Sequence, residues 1–276
     1  MHPTIAFIGA GVMAETMITG LLADGYPADR IVASHRREER AIELRTRTGV
    51  EVRLDNAAAA AGADLVVLST KPQSLPQVLP SLAGQLAENA VLLSIVAGAR
   101  VEVLTKHLGH RRVVRAMPNL PARIRQGVTV WYATPAVGDT ELEPVRTLLR
   151  VIGREVRVED ESHVDRATAV SGTGPAIAAH FVKAWLEAAA YIGEPRGLAR
   201  ETVLATLEGT LAMLRSSDAH VAELIDEVTS PGGTTSRALQ VLKNGRFSAV
   251  LTEAVDAAYE RSVELGDGLE AKLEKR

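Results

Sequence analysis

The chain has 276 residues and a formal charge of −3, with 46% apolar, 24% charged and 3% aromatic residues and no cysteine. So few aromatics and no net positive charge argue against a nucleic-acid binder that stacks bases or tracks phosphates, and the missing cysteines exclude disulfides and thiolate metal ligands. No apolar run approaches the ~20 residues of a membrane span and no leader is expected ahead of the first strand, so the expected location is the cytoplasm.

Thr4 to Ile8 is a short apolar run of strand type that empties into Gly9-Ala10-Gly11-Val12-Met13-Ala14. Met13, Met17, Gly20, Leu21 and Ala23 then recur with a period of about 3.6 residues, the mark of a helix. In a strand, glycine turn and helix of this order, Gly9 tightens the turn and Gly11 lets the backbone approach a pyrophosphate. A small residue at Ala14 lets helix and strand pack closely. The unit is predicted to open a dinucleotide-binding sheet, with Gly9, Gly11, Val12 and Met13 at the cofactor.

Ile31 to Ser34 reads as the second strand. A site that prefers NAD places an acidic residue at this end for the ribose hydroxyls, but this chain has Ser34, His35, Arg36 and Arg37. A hydroxyl and guanidinium groups can hold a 2′-phosphate that a carboxylate would repel. NADPH is therefore the predicted cofactor, with NADH possible, and at least one of the two arginines is expected to start a solvated helix, Arg37 to Arg47. A short strand near residues 49–52 follows, then Asp55-Asn56 ahead of an alanine-rich helix, Ala57 to Ala61. Asn56 is read as capping that helix, touching the adenosine ribose, or both.

Three more strands, Leu65 to Ser69, Val91 to Ile95 and Val113 to Ala116, end at Thr70-Lys71-Pro72-Gln73, Ala97-Gly98 and Met117-Pro118-Asn119. In open parallel sheets ligands sit along that edge. Thr70, Lys71, Pro72, Ala97, Gly98, Pro118 and Asn119 are accordingly predicted to line the nicotinamide end, with Lys71 a solvated cap rather than an acid catalyst and Pro72 opening the next helix. A strand from Gly127 to Tyr132, a helix from about Glu141 to Arg150 and Val156 to Val158 finish the sheet near Glu159. The predicted class is α/β, an N-terminal Rossmann-type dinucleotide-binding domain over 1–160 followed by an all-helical C-terminal domain over 161–276 for substrate binding and dimerisation.

From residue 163 only helices are expected. Ser171-Gly172-Thr173-Gly174-Pro175 opens one to about Tyr191, Gly193-Glu194-Pro195 one to about Leu214, and Thr229 to Thr235 one to about Lys243. The last runs from Phe247 to about Leu265, with Phe247, Val250, Leu251, Ala254, Val255, Ala258, Ser262 and Val263 on one side and a charged, frayed tail from Gly266 to Arg276. The apolar stripes fit either one intramolecular bundle or packing against a second copy. In Ser230 to Thr235, two adjacent glycines and a helix start bring unpaired N–H groups together, an anion cradle suited to a carboxylate. The hydroxyls of Ser230, Thr234 and Thr235 stand beside it; the plainer alternative is a capped turn. The histidines lack the spacing of a zinc motif, so no metal is expected.

The segments from Gly9 to Ala14, Lys71-Pro72-Gln73, Met117-Pro118-Asn119, Ala169 to Ala176 and Val228 to Thr235 resemble the pyrroline-5-carboxylate reductase family in order and spacing, over nearly the whole chain. The resemblance implies a two-domain enzyme that takes a hydride from NAD(P)H to the C=N bond of 1-pyrroline-5-carboxylate, giving L-proline, the last step of proline biosynthesis. It implies a homodimer interlocked through the C-terminal helices, possibly assembled into a decamer, and no nucleic-acid or membrane partner. Thr235 matches the family's hydroxyl near the ring nitrogen, the catalytic position. Gly232, Gly233 and Thr234 match the backbone donors that hold the substrate carboxylate beside Ser230. Ser34, Arg36 and Asn56 match positions at the adenosine ribose and its phosphate. Val12 stands where many members have Asn, Thr70 where Val is usual, Leu120 where Thr is usual and Val221 where Pro is common, which leaves room for a specialised relative acting on another cyclic imine. Hydroxyacid dehydrogenases of similar architecture carry a catalytic lysine near the position of Ala178, which this chain lacks. A non-catalytic dinucleotide sensor would not need the 230–235 loop.

Overall fold

Short aliphatic runs build a single eight-stranded sheet in the computed structural model, which describes residues 2–274. The strands are β1 Ile5–Ile8, β2 Ile31–Ser34, β3 Glu51–Arg53, β4 Leu65–Leu68, β5 Val91–Ser94, β6 Val113–Met117, β7 Gly127–Ala133 and β8 Gly153–Arg157. Their order is β3-β2-β1-β4-β5-β6-β7-β8. All neighbours pair in parallel except β6 and β7, which are antiparallel. The chain moves outward from β1 to β3 on one side and from β4 onward on the other, so a crevice opens where the carboxyl ends of β1 and β4 diverge. Strands β1, β4 and β5 are buried along their whole length, the reason their sequences are apolar apart from Ser94 at the end of β5.

Alternate residues of each strand serve the two faces. Phe7 and Val67 join Met17, Ile18, Trp131 and Leu148 on one side, and Ala6, Ile8, Val66 and Leu68 join Leu79, Leu92 and Leu104 on the other. The helices that cover the faces are α1 Val12–Ala23, α2 Glu38–Thr48, α3 Asn56–Ala60, α4 Leu75–Leu82, α5 Val101–Leu108, α6 Asp139–Arg150 and α7 Ser162–Ala167. A π-helical turn, Thr168–Gly172, follows α7. Four further helices are α8 Gly174–Tyr191, α9 Arg196–Ser216, α10 Val221–Glu227 and α11 Thr234–Asn244, and the last is α12 Phe247–Glu274. The chain divides into two compact units: one comprises the sheet and its helices together with residues 257–274, the other Gly174–Asp256.

Several sequence expectations change in detail. Asp55, not Asn56, caps α3, its carboxylate accepting the Ala58 N–H at 2.6 Å. Pro72 opens a 3-10 turn, Pro72–Ser74, and α4 starts only at Leu75. Strand β8 begins at Gly153, whose φ of 140° and pairing with Gly127 bring the two backbones so close that a side chain at 153 would overlap the Gly127 carbonyl. The tail expected to fray is helix as far as Glu274, because Ser262, Gly266, Leu269 and Leu273 share one buried face; Lys275 and Arg276 lie outside the described residues.

In the second unit, α8, α10 and α11 have no buried residue, and α9 buries only Ala199 and Val203. Tyr191, Ile192, Leu211, Val241 and Val250 all stand in solvent. A bundle closed within one chain would have covered these stripes; the folded chain leaves them uncovered, as an association surface would be in a single chain. Among the described residues no helix is long and apolar enough to cross a membrane.

Candidate active site

The glycine loop takes the form its sequence demands. Gly9 has φ +90°, and a methyl group there would meet Thr70 Cγ2 at 2.5 Å and Thr70 Cα at 3.1 Å, so the turn can close on β4 only without a side chain. Over Gly11 the space is open, the nearest atom to a methyl being the Gly9 carbonyl oxygen at 3.9 Å. No side chain caps α1, so its first-turn N–H groups have no acceptor within the helix and present a positive end to this space. That is a cradle for a diphosphate, and the residues fit a dinucleotide. Val12 is 61% exposed at its rim and Met13 is half-buried.

Ser34 lies beneath the loop and is fully buried. Its hydroxyl accepts the Gly9 N–H at 3.2 Å and donates to Asn56 Oδ1 at 2.8 Å, so it braces the glycine turn against the start of α3. Arg36 and Arg37 emerge just beyond, both exposed, and the Arg37 N–H is held by His35 Nδ1 at 3.1 Å. Further along the same edge Lys71 is exposed and Pro72 half-buried. Thr70 is half-buried, with its Oγ1 shut away from solvent and without a hydrogen-bond partner among the described residues. Ala97 is half-buried and Gly98 is buried with φ +74°. Asn119 is 9% exposed and engaged at both ends of its amide: Nδ2 donates to the Ser171 carbonyl at 3.1 Å, and Oδ1 accepts the Val128 N–H at 2.9 Å. The residues expected at the cofactor thus gather along one edge of the sheet, Ser34 and Asn119 as internal braces.

Arg115 is a functional-site neighbour that the sequence reading passed over. It is 1% exposed on β6, paired with Glu161 at 2.8 Å and Asp165 at 2.5 Å, and Glu161 Oε1 also accepts the Val101 N–H at 2.9 Å. This ties the start of α5 and α7 to the strand that ends at Asn119. The signal was present as an arginine inside the apolar run Val113-Val114-Arg115-Ala116, because a charge on a buried strand needs a carboxylate partner.

The 230–235 loop lies in the second unit. Ser230-Pro231-Gly232-Gly233 is a type II turn: the Gly233 N–H donates to the Ser230 carbonyl at 3.1 Å, and Gly232 has φ +74°. Gly233 then opens α11 with no side-chain cap, so the N–H groups of Thr234, Thr235 and Ser236 have no acceptor within the helix. Ser230, Gly232 and Thr234 are exposed and Thr235 is half-buried. The loop therefore combines an unpaired helix start, permissive to an anion, with three hydroxyls. Among the described residues no group of three His, Asp or Glu side chains is placed to hold a metal ion.

Comparison with known proteins gives a family match in each part of the chain. A family model described as pyrroline-5-carboxylate reductase dimerisation matches residues 161–265, and one described as NADP oxidoreductase, coenzyme F420-dependent, matches residues 4–98. The chain is 41% identical to the pyrroline-5-carboxylate reductase of Pseudomonas aeruginosa over 272 residues, 97% of this chain and 98% of that one. It is similar to the solved pyrroline-5-carboxylate reductase of Coxiella burnetii, with a TM-score of 0.88 at 33% identity, covering 96% of this chain and 99% of that one. The Plasmodium falciparum pyrroline carboxylate reductase solved with NADP bound gives a TM-score of 0.86 at 27% identity, covering 96% and 98%.

Proposed function

The chain belongs to the pyrroline-5-carboxylate reductase family, and from that premise we propose how its residues divide the work. The enzyme is an NAD(P)H-dependent oxidoreductase that reduces the C=N bond of 1-pyrroline-5-carboxylate to L-proline, the last step of proline biosynthesis, and it associates with copies of itself through its C-terminal helices. The observation that carries the division of labour is the uncapped start of α11, with Thr235 at its second residue.

The bound dinucleotide supplies the hydride. Val12 and Met13 hold its diphosphate through the unpaired N–H groups of the first turn of α1, above the space that Gly9 and Gly11 keep clear, and Arg36 with Arg37 takes the 2′-phosphate, so NADPH is preferred and NADH is the lesser donor. Asn56 and the Ser34 beneath it set the ribose side, while Thr70, Lys71, Pro72, Ala97, Gly98 and Asn119 shape the nicotinamide end. Gly232 and Thr234 offer backbone donors to the substrate carboxylate, Gly233 closes the turn that presents them through its own bond to the Ser230 carbonyl, and the Ser230 hydroxyl stands beside them. The Thr235 hydroxyl orients the ring nitrogen and hands it a proton drawn from water. A cyclic imine is basic enough to accept that proton near neutral pH, so positioning counts for more than acid strength here. The functional division of the chain is 1–160 for the dinucleotide and 161–276 for substrate and dimer, the dimers assemble further into a decamer, and the enzyme works in the cytoplasm.

A second reading, a specialised reductase of another cyclic imine, is favoured only by Val12 and Leu120, both large, apolar and more than half exposed. One experiment separates the two: NADPH oxidation with pyrroline-5-carboxylate beside pyrroline-2-carboxylate and piperideine carboxylates, repeated with NADH. The expected winner in kcat/KM is pyrroline-5-carboxylate with NADPH. A higher kcat/KM for another imine would transfer the assignment to that substrate.

A further inference from the structure

The turn after β5 closes on itself through the Ala99 N–H, donated to the Val96 carbonyl at 3.2 Å, with Ala99 buried in the core. Ala97 and Gly98 at its tip offer almost no side chain, and Gly98 sits at φ +74°, a backbone that glycine adopts without strain. The tip has a second support in the last part of α12. A methyl group on Gly98 would come within 3.0 Å of the Gly266 nitrogen and 3.1 Å of Gly266 Cα, so the two backbones touch directly. Gly266 is in turn roofed by Arg100, whose Nη2 would stand 3.1 Å from a methyl there. Arg100 reaches across to Asp267 at 2.7 Å and Glu270 at 3.5 Å. Burial weakens its charge, but the hydrogen bond to Asp267 and the charges of Asp267, Asp165 and Glu270 more than offset this and leave its pKa raised. Leu269 and Leu273 anchor the helix in the core beneath, and on the far side Val101 N–H is held by Glu161.

We propose that this end of α12 is a clamp that sets the nicotinamide-side turn at residues 97–98, and that Gly266 and Arg100 are positioning residues for cofactor binding. The inference rests on the reading that Ala97 and Gly98 line the dinucleotide. Gly268, two residues on, faces open space and serves as the internal control, since Gly266→Ala and Gly268→Ala gain the same helix propensity.

The test is NADPH affinity measured without turnover, by titrating the cofactor's fluorescence, alongside melting temperature and the steady-state constants of full-length protein. Gly266→Ala and Arg100→Ala are expected to weaken NADPH binding roughly three- to ten-fold while kcat at saturating cofactor stays within about two-fold. Gly268→Ala should match the parent, and Arg100→Lys should recover part of the loss. Should Arg100→Ala fold poorly, Asp267→Asn with Glu270→Gln removes the same restraint from two partly exposed carboxylates and carries the same expectation. Unchanged NADPH affinity in Gly266→Ala and in the carboxylate variant, whatever happens to the melting temperature, overturns the clamp alone. A parent protein that binds no NADPH overturns the cofactor reading and the clamp together.

Discussion

Gly233 donates its N–H to the Ser230 carbonyl at 3.1 Å, and it does so with its Cα set so close to the Ser230 hydroxyl that a methyl group would overlap Oγ. Its φ of −76° is open to any residue, so what excludes a side chain at 233 is space rather than backbone strain. Gly233→Ala should therefore push the Ser230 side chain aside and disturb the donors at the start of α11. KM for the imino acid is expected to rise about ten-fold, or ~1.4 kcal/mol, with NADPH affinity unchanged. Ser230→Ala in the same chain removes the overlap and should return most of the loss. Thr235→Ala, by contrast, leaves the turn intact and is expected to lower kcat about a hundred-fold, the scale of one proton-transfer or positioning group. Steady-state kinetics with a parallel NADPH titration reads both; an equal loss of kcat and NADPH affinity in Thr235→Ala would make that residue scaffold.

Arg36 and Arg37 follow directly from β2, exposed, and neither guanidinium forms an ion pair among the described residues. Side chains left unpaired at the edge of a cradle for a diphosphate suit a 2′-phosphate. Replacing both by Ala should reduce the NADPH-over-NADH ratio of kcat/KM about ten-fold, through NADPH alone. The effect should shrink as ionic strength rises, because exposed charges are screened over about 10 Å at 0.1 M salt. A ratio that does not move would take both arginines out of the site.

Much of this was legible from the residues. The glycine loop and the Ser-Pro-Gly-Gly turn are readable because Gly9, Gly232 and Gly233 each answer a backbone or spacing need that a side chain would not meet. The short aliphatic runs are readable because a strand buried on both faces has few polar positions, Ser94 and Arg115 being buried exceptions in β5 and β6. Strand direction is different: β7 alternates buried and half-buried residues, and that alternation looks the same in a parallel or an antiparallel partner. The end of α12 was misread because its charges face outward and dominate the composition, while four small or aliphatic residues one turn apart do the packing. The cap of α3 was assigned one residue late, since Asp55 and Asn56 are equally good cap chemistry and only the Ala58 N–H distinguishes them. The Ser34 brace joins residues 25 and 22 positions apart, and no local pattern announces such a contact.

Thr70 offers a stability test beside the site. Its Oγ1 is buried and has no hydrogen-bond partner among the described residues, while its Cγ2 packs against Gly9. An unsatisfied buried hydroxyl costs about 1–3 kcal/mol, and valine keeps the methyl contact without it. Thr70→Val is expected to raise the melting temperature by about 2–4 °C and to leave NADPH affinity alone, consistent with any contact from this position being made by its backbone. A lower melting temperature would mean that the hydroxyl has a partner in solution, and weaker NADPH binding would mean that the partner is the cofactor.

At the opposite edge of the sheet, Tyr26 is 8% exposed and its hydroxyl donates to the Pro3 carbonyl. Burial pushes its pKa up from 10.0 to about 12, the nearby Asp64 carboxylate adds to the rise, and Arg30 opposes it. The folded chain thus holds the phenol proton more tightly than the unfolded chain does. With the folded pKa above the unfolded one, the stabilisation is complete below the unfolded value of about 10 and is lost as pH rises through about 12. Tyr26→Phe lacks both the hydrogen bond and the titration. At pH 8 it should be less stable than the parent by about 1 kcal/mol, and across the interval from about 10 to about 12 the parent should lose that lead. Urea unfolding of the two proteins at matched pH values isolates the difference, because every other residue is the same in both. Unfolding midpoints that keep a constant separation over that interval would show that the Tyr26 proton plays no part in the fold's tolerance of alkali.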